Sequence, residues 1–135
     1  MDHPALARWQ KAIENKDLVI ITSLLADHVQ LYSPVKHEPY VGKNSVITYL
    51  SGAFKAFINQ SYRYAKCISA GNQAMLEFNL EIDGMRINGV EVISWTASGK
   101  IIEIKLMLRP TNVINRVHQM MNSRLKNQLS SVIES

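Results

Sequence analysis

A single cysteine, Cys67, in 135 residues excludes a disulfide framework within the chain and any zinc site built from several thiolates. No two histidines stand at metal-ligand spacing, so neither a metal nor another cofactor is expected. Long apolar runs are also missing: Leu18 to Ile21 is among the longest, far short of the ~20 residues that a bilayer crossing needs. No membrane span is expected. Met1 to Pro4 lacks a basic n-region, and Arg8, Lys11 and Glu14 interrupt the apolar residues that follow, so no targeting segment is expected and the reading places the protein in the cytoplasm. Charge is sparse, at 19% of residues. Fifteen Lys+Arg against eleven Asp+Glu leave +4, a surplus too slight to call for nucleic acid as a partner. No repeat, linker, phosphate loop or dinucleotide fingerprint is legible. What is abundant is apolar residues: at 47% they suffice for one domain over 1–135 with a sizeable core.

Period separates the chain into two kinds of element. Leu6, Trp9 and Ile13 follow helical spacing behind Asp2, and Asp17 can cap a second helix through Leu18, Ile21, Leu24 and Leu25 that ends near Asp27-His28. Val29 to Val35 reads as a strand, Lys36 to Gly42 as a loop, and Asn44 to Ile58 as a third helix carrying Val46, Tyr49, Leu50, Ala53, Phe54 and Phe57. From Tyr62 the period falls to two. Tyr62–Ala70, Ala74–Ile82, Arg86–Thr96 and Lys100–Leu108 are four strands joined by Gly71-Asn72, Asp83-Gly84 and Ser98-Gly99, which predicts an antiparallel meander. After Pro110 the spacing of Val113, Val117, Met120 or Met121, Leu125, Leu129 and Val132 predicts an amphipathic helical extension over 111–135.

The fold class is therefore α+β: a curved antiparallel sheet wrapped around the N-terminal helices, with the apolar side of each strand turned inward. Alternation predicts one inward row of Ile102, Ile104, Leu106 and Leu108 and another of Leu76, Phe78, Leu80 and Ile82.

The order of these elements, with Leu24-Leu25-Ala26-Asp27, Ser33-Pro34-Val35 followed by Glu38-Pro39 and Gly42, and Ser98-Gly99-Lys100, resembles the nuclear transport factor 2-like superfamily. The resemblance covers about Leu6 to Pro110 and lies closest to the ketosteroid isomerase and SnoaL-like polyketide cyclase branches. It implies a cystatin-like cone of sheet closed by helices, a mostly apolar cavity and a homodimer. In the isomerases an aspartate base works with a tyrosine and a protonated aspartate. Aligned on Pro34, Glu38, Pro39 and Gly42, the resemblance places Ser33 at the base; aligned on the first amphipathic helices it places Trp9 at the tyrosine, and aligned on Gly99-Lys100 it places Glu91 at the second aspartate. A neutral hydroxyl cannot remove an unactivated carbon-bound proton near pH 7, so strict ketosteroid isomerase chemistry is not supported.

Glu91 stands in alternation with Ile87, Ile93 and Trp95. Inside a cavity its pKa would rise and it could act as general acid; the alternative is a solvated or paired carboxylate at the sheet rim. His37, beside Glu38, is the histidine nearest the expected cavity mouth, with ordinary loop surface as its alternative. His3, His28 and His118 read as surface. Tyr32, Tyr49, Tyr62 and Tyr64 offer hydroxyls. Tyr49 matches a cavity-lining aromatic of the resembling family, while Tyr62 and Tyr64 share a strand face that could serve an interface.

Three functions follow from this reading. The first is a binding protein for a small hydrophobic ligand, its cavity lined by Trp9, Ser33, Tyr49, Phe78, Leu80, Ile82, Ile93, Trp95, Leu106 and Leu108. The second is an isomerase- or cyclase-type enzyme acting on a hydrophobic carbonyl compound through Glu91 and His37. The third is a protein-interaction module docking through its C-terminal helix, where Arg124 and Lys126 flank Leu125.

Overall fold

The computed structural model describes residues 4–56 and 58–134, with side chains in the last helix as far as Asn122. The roles expected of Asp2, Phe57 and the side chains of Arg124, Leu125, Lys126, Leu129 and Val132 lie outside the described residues.

Helical spacing gives α1 (Pro4–Glu14), which buries Leu6, Trp9 and Ile13 on one stripe. The Asp17 carboxylate accepts the Ile20 N–H at 3.1 Å and caps α2 (Leu18–Leu24). This helix stops short of its apolar pattern. Leu25 is already extended, and β1 runs over Leu25–Tyr32, four residues earlier than the sequence suggests, because Leu25 pairs with Ile101 of the last strand. A partner distant in sequence outweighs local helical preference there. Within the expected loop, Tyr40–Val41 forms a short β2 against β1, and α3 (Lys43–Ala56) follows.

The meander forms as the turns predict: β3 (Arg63–Ala70), β4 (Gln73–Ile82), β5 (Met85–Trp95) and β6 (Ile101–Arg109). Asp83 and Gly84 both take positive φ, 50° and 79°, as a two-residue hairpin turn between twisted strands requires. The six strands lie in the order β2-β1-β6-β5-β4-β3, and β1 and β6 are the one parallel pair among them. The sheet is curved and unclosed, and α1 and α3 occupy its inner side.

Register shifts help to bend it. Ser94 pairs with Glu103 but Trp95 pairs with Ile101, so Ile102 is an extra residue turned off the inner face. The inner row of β6 is therefore Ile101, Ile104, Leu106 and Leu108, not the row headed by Ile102, and Ile101 and Ile104 are buried. Beyond β6, α4 (Thr111–Glu134) packs on α3 and β6 with Val113, Val117 and Met121 buried. Among the described residues no helix is long and apolar enough to cross a membrane.

Candidate functional site

Strand alternation carries Glu91 to the inner face of β5, between Leu76 of β4 and Leu106 of β6. It is 6% exposed. Leaving a buried carboxylate without donors would cost several kcal/mol, on the order of magnitude for an uncompensated buried charge, and three side chains meet this one. Trp9, reaching in from α1, donates its indole N–H to Oε2 at 2.8 Å, while the hydroxyls of Tyr62 and Tyr64 donate to Oε1 at 2.7 and 3.3 Å.

The tyrosines are held by packing. Tyr62 stacks on Phe78 with ring centres 5.0 Å apart and meets Tyr64 edge-on at 5.3 Å. Phe78 in turn lies over Gly89, where an added Cβ would overlap its ring and stand 2.8 Å from Leu108 Cδ2. Gly89 is thus needed for close approach rather than for backbone freedom.

Electrostatics follow from this enclosure. Burial pushes the Glu91 pKa above its usual 4.5, and the bonds from Tyr62, Trp9 and Tyr64 pull it partly back. Burial, reinforced by the nearby Glu91 charge, also raises Tyr62 and Tyr64, so both hydroxyls stay protonated and serve as donors.

Two spaces flank the cluster. Trp9, Tyr49, Tyr62, Phe78, Glu91 and Leu106 help to enclose an internal void of about 30 Å³, room for one water. A cleft of about 330 Å³ lies between α3, the loop after β1, the end of β6 and α4, bounded by Val35, Tyr40, Tyr49, Leu108, Val117 and Met121, with Asn44, Ser45, Thr48, His118 and Asn122 supplying polar atoms. Tyr49 lines both. It is 7% exposed, its ring sits 5.0 Å from that of Tyr40, and its hydroxyl has no hydrogen bond among the described residues. Burial, then the neighbouring Tyr40, raises its pKa, so it remains a neutral donor.

Of the residues singled out from sequence, Trp9, Tyr49, Phe78, Leu106 and Glu91 border the internal void, and Tyr49 and Leu108 border the cleft. Ile82, Ile93 and Trp95 are packed in the core, and Leu80, also buried, edges a surface depression beside Arg86 and Arg109. Ser33 is buried next to the cleft, its Oγ accepting the Val35 N–H at 3.4 Å. His37 is exposed on the loop and lines neither space. Sequence reasoning missed Tyr62 and Tyr64 as donors to Glu91, the role of Gly89, and the approach of His118 and Asn122 to the cleft, where Asn122 Nδ2 stands 3.1 Å from His118 Nε2. Tyr62 and Tyr64 were visible as a same-face pair, but nothing local said which strand they would reach. Among the described residues no cluster of three or more His, Cys, Asp or Glu could hold a metal.

A six-stranded curved, unclosed sheet with helices on its inner side matches the cystatin-like, nuclear transport factor 2-like fold. Residues 6–104 match the model of the SnoaL-like domain, and the chain belongs to that family. Among solved structures, a steroid delta-isomerase from Pseudomonas aeruginosa superposes with a TM-score of 0.87 at 26% identity, covering 93% of this chain and 92% of that one. An uncharacterized protein with a cystatin-like fold from Silicibacter pomeroyi DSS-3 gives 0.87 at 25% identity over 96% and 91% of the two chains. A de novo designed protein with a curved β-sheet, at 0.69 and 17% identity over 89% and 99%, shares the fold alone. None of the curated proteins matches the sequence.

Proposed function

We propose that this protein binds one small, mainly apolar molecule in the cleft beneath α4, with the Tyr49 hydroxyl as the donor that orients it. The observation that carries this reading is the hydroxyl of Tyr49, a residue 7% exposed that lines the cleft and has no hydrogen bond among the described residues, beside the apolar Val35, Leu108, Val117 and Met121. Among the described residues no fully buried side-chain polar atom lacks a partner, so this hydroxyl is open to solvent, and an acceptor on a ligand would take its hydrogen bond for a net gain of about 1 kcal/mol. The volume of about 330 Å³ lies at the lower end of ligand-pocket sizes. Likeness to a steroid delta-isomerase supports a hydrophobic carbonyl compound as the ligand class.

In this reading residues 1–135 act as one domain, with α4 forming the cleft's outer wall through Ile114, Val117, His118, Met121 and Asn122. The protein works in the cytoplasm as a homodimer paired through the outer sheet face. Support for that face is apolar exposure: Ile68 and Met107 are 55% and 52% exposed there. A second reading, acid/base catalysis on the same ligand class, is favoured by the enclosed Glu91, whose raised pKa suits a proton donor. It lacks a base at Ser33.

The test is mass spectrometry of molecules extracted from the purified protein, followed by titration of a panel of apolar ketones into the wild type and Tyr49→Phe. Binding weakened about fivefold in the variant, worth about 1 kcal/mol for one hydrogen bond, is expected. A panel that binds neither protein, or both equally, would sink the reading. Turnover of any enolisable ketone that survives Glu91→Gln unchanged would remove Glu91 from the catalytic reading.

A further inference from the structure

Tyr62 and Tyr64 face two ways. Their hydroxyls reach Glu91 Oε1 at 2.7 and 3.3 Å, and both residues also line a surface depression of about 440 Å³ with Glu14, Asn15, Asn59, Gln60 and Arg63. Glu91 thus lies between a solvent-filled hollow and the internal void, separated from the hollow by these two rings. We propose that the Tyr62 and Tyr64 hydroxyls form a proton path from that hollow to Glu91, so that a fully enclosed carboxyl is recharged without the fold opening.

The step balances in protons. A proton borne by water in the hollow adds to the hydroxyl oxygen of Tyr62 or Tyr64 as that hydroxyl passes its own proton to Glu91 Oε1. The carboxylate becomes the acid, and each tyrosine ends with one proton, as it began. Running the step backwards discharges the acid to solvent. The other elements place no further hydroxyl in hydrogen-bond contact with the carboxyl. From α1 comes the Trp9 N–H, a donor that cannot accept; Tyr49 of α3 lines the void with Glu91 and also the cleft, but does not bond the carboxyl; Leu76 and Phe78 of β4 and Leu106 of β6 are apolar. The charged groups near the path stand at its outer end: Glu14, whose charge is felt by Tyr64, and Arg63 beside both tyrosines. This inference does not depend on what occupies the cleft.

Infrared spectroscopy of the full chain transferred into D₂O tests it. The Glu91 carboxyl stretch is identified by its loss in Glu91→Gln, and its hydrogen-for-deuterium shift is timed at a pH where Glu91 is protonated. The wild-type carboxyl should exchange faster than the backbone amides of Leu76 and Ile93 around it, which report opening of the sheet. Tyr62→Phe/Tyr64→Phe, which keeps both rings, should slow the carboxyl by about a hundredfold, the low end of what a positioned proton carrier contributes. Carboxyl exchange no faster than those amides, a folded double variant exchanging at the wild-type rate, or a Glu91 that never takes up a proton while the protein is folded would each overturn the proposal. Should the double variant not fold, Tyr62→Phe and Tyr64→Phe made singly carry the test: at least one should slow the carboxyl, and exchange at the wild-type rate in both would overturn the proposal.

Discussion

The Trp9 indole N–H and the Glu91 carboxylate meet at 2.8 Å across 82 residues of sequence, joining α1 to the centre of β5. An N-terminal helix is thereby fixed to the sheet through a polar bond inside an apolar core. Trp9→Phe keeps most of the packing and leaves Oε2 without this donor. A loss of about 1–3 kcal/mol at neutral pH is expected from urea unfolding, together with a further rise in the Glu91 pKa, since the lost bond favoured the charged form.

The raised pKa of Glu91 makes stability depend on pH with a definite sign. Above its usual value of 4.5 the unfolded chain releases this proton, while the folded protein keeps it up to a higher pH. Over that window the folded state holds more protons, so this group's contribution falls as pH rises and levels off above the folded pKa. Denaturant titrations of wild type and Glu91→Gln across pH 4–8 check this. The difference between them should change with pH in that direction, and a constant difference would show that Glu91 titrates alike in both states.

Gly89 supports the same cluster through space rather than charge. Gly89→Ala places a methyl against the Phe78 ring, which carries Tyr62. A cost of about 1–3 kcal/mol is expected, as for other overpacked cores. Adding Phe78→Leu should recover part of it. A double-mutant cycle in thermal unfolding that shows strict additivity would contradict this coupling.

Filling the cleft should separate binding from folding. Ser45 is exposed on α3 at the cleft wall, so Ser45→Trp intrudes into the cleft and leaves the core untouched. Thermal stability within about 0.5 kcal/mol of wild type is expected for such a surface site, with loss of ligand binding by calorimetry.

The outer sheet face gives a test of assembly. Met107 pairs with Val90 of β5, which pairs with Glu77 of β4, and is itself 52% exposed on the outer face. Met107→Glu should shift a homodimer to monomer in sedimentation velocity without unfolding it, because a charge buried at an interface without a partner is costly.

Much of the fold was legible because its elements have strong local causes. Two-residue alternation and the Asp83-Gly84 turn specify β4 and β5 almost to the residue, and helical spacing specifies α1 and α3. The errors fall where a remote partner decided: Leu25 to His28 became strand through pairing beside β6, and Ile102 was displaced by a bulge that alternation cannot show. The candidate site divides in the same way. That Glu91 would face inward, with Trp9 and Tyr49 as candidates beside it, could be read from periodicity and family resemblance. That Tyr62 and Tyr64 would bond it, that the internal void would shrink to about 30 Å³, and that the larger space would open under α4 could not.

The sequence by itself determined the absences and the faces: one cysteine, no long apolar run, and one apolar side to every element, all set by composition and period. Tertiary structure decided which faces met and how closely. Void volume and hydrogen-bond partners depend on side-chain positions fixed by strands far apart in the chain, and a displacement of one residue in register moves every side chain to the opposite face.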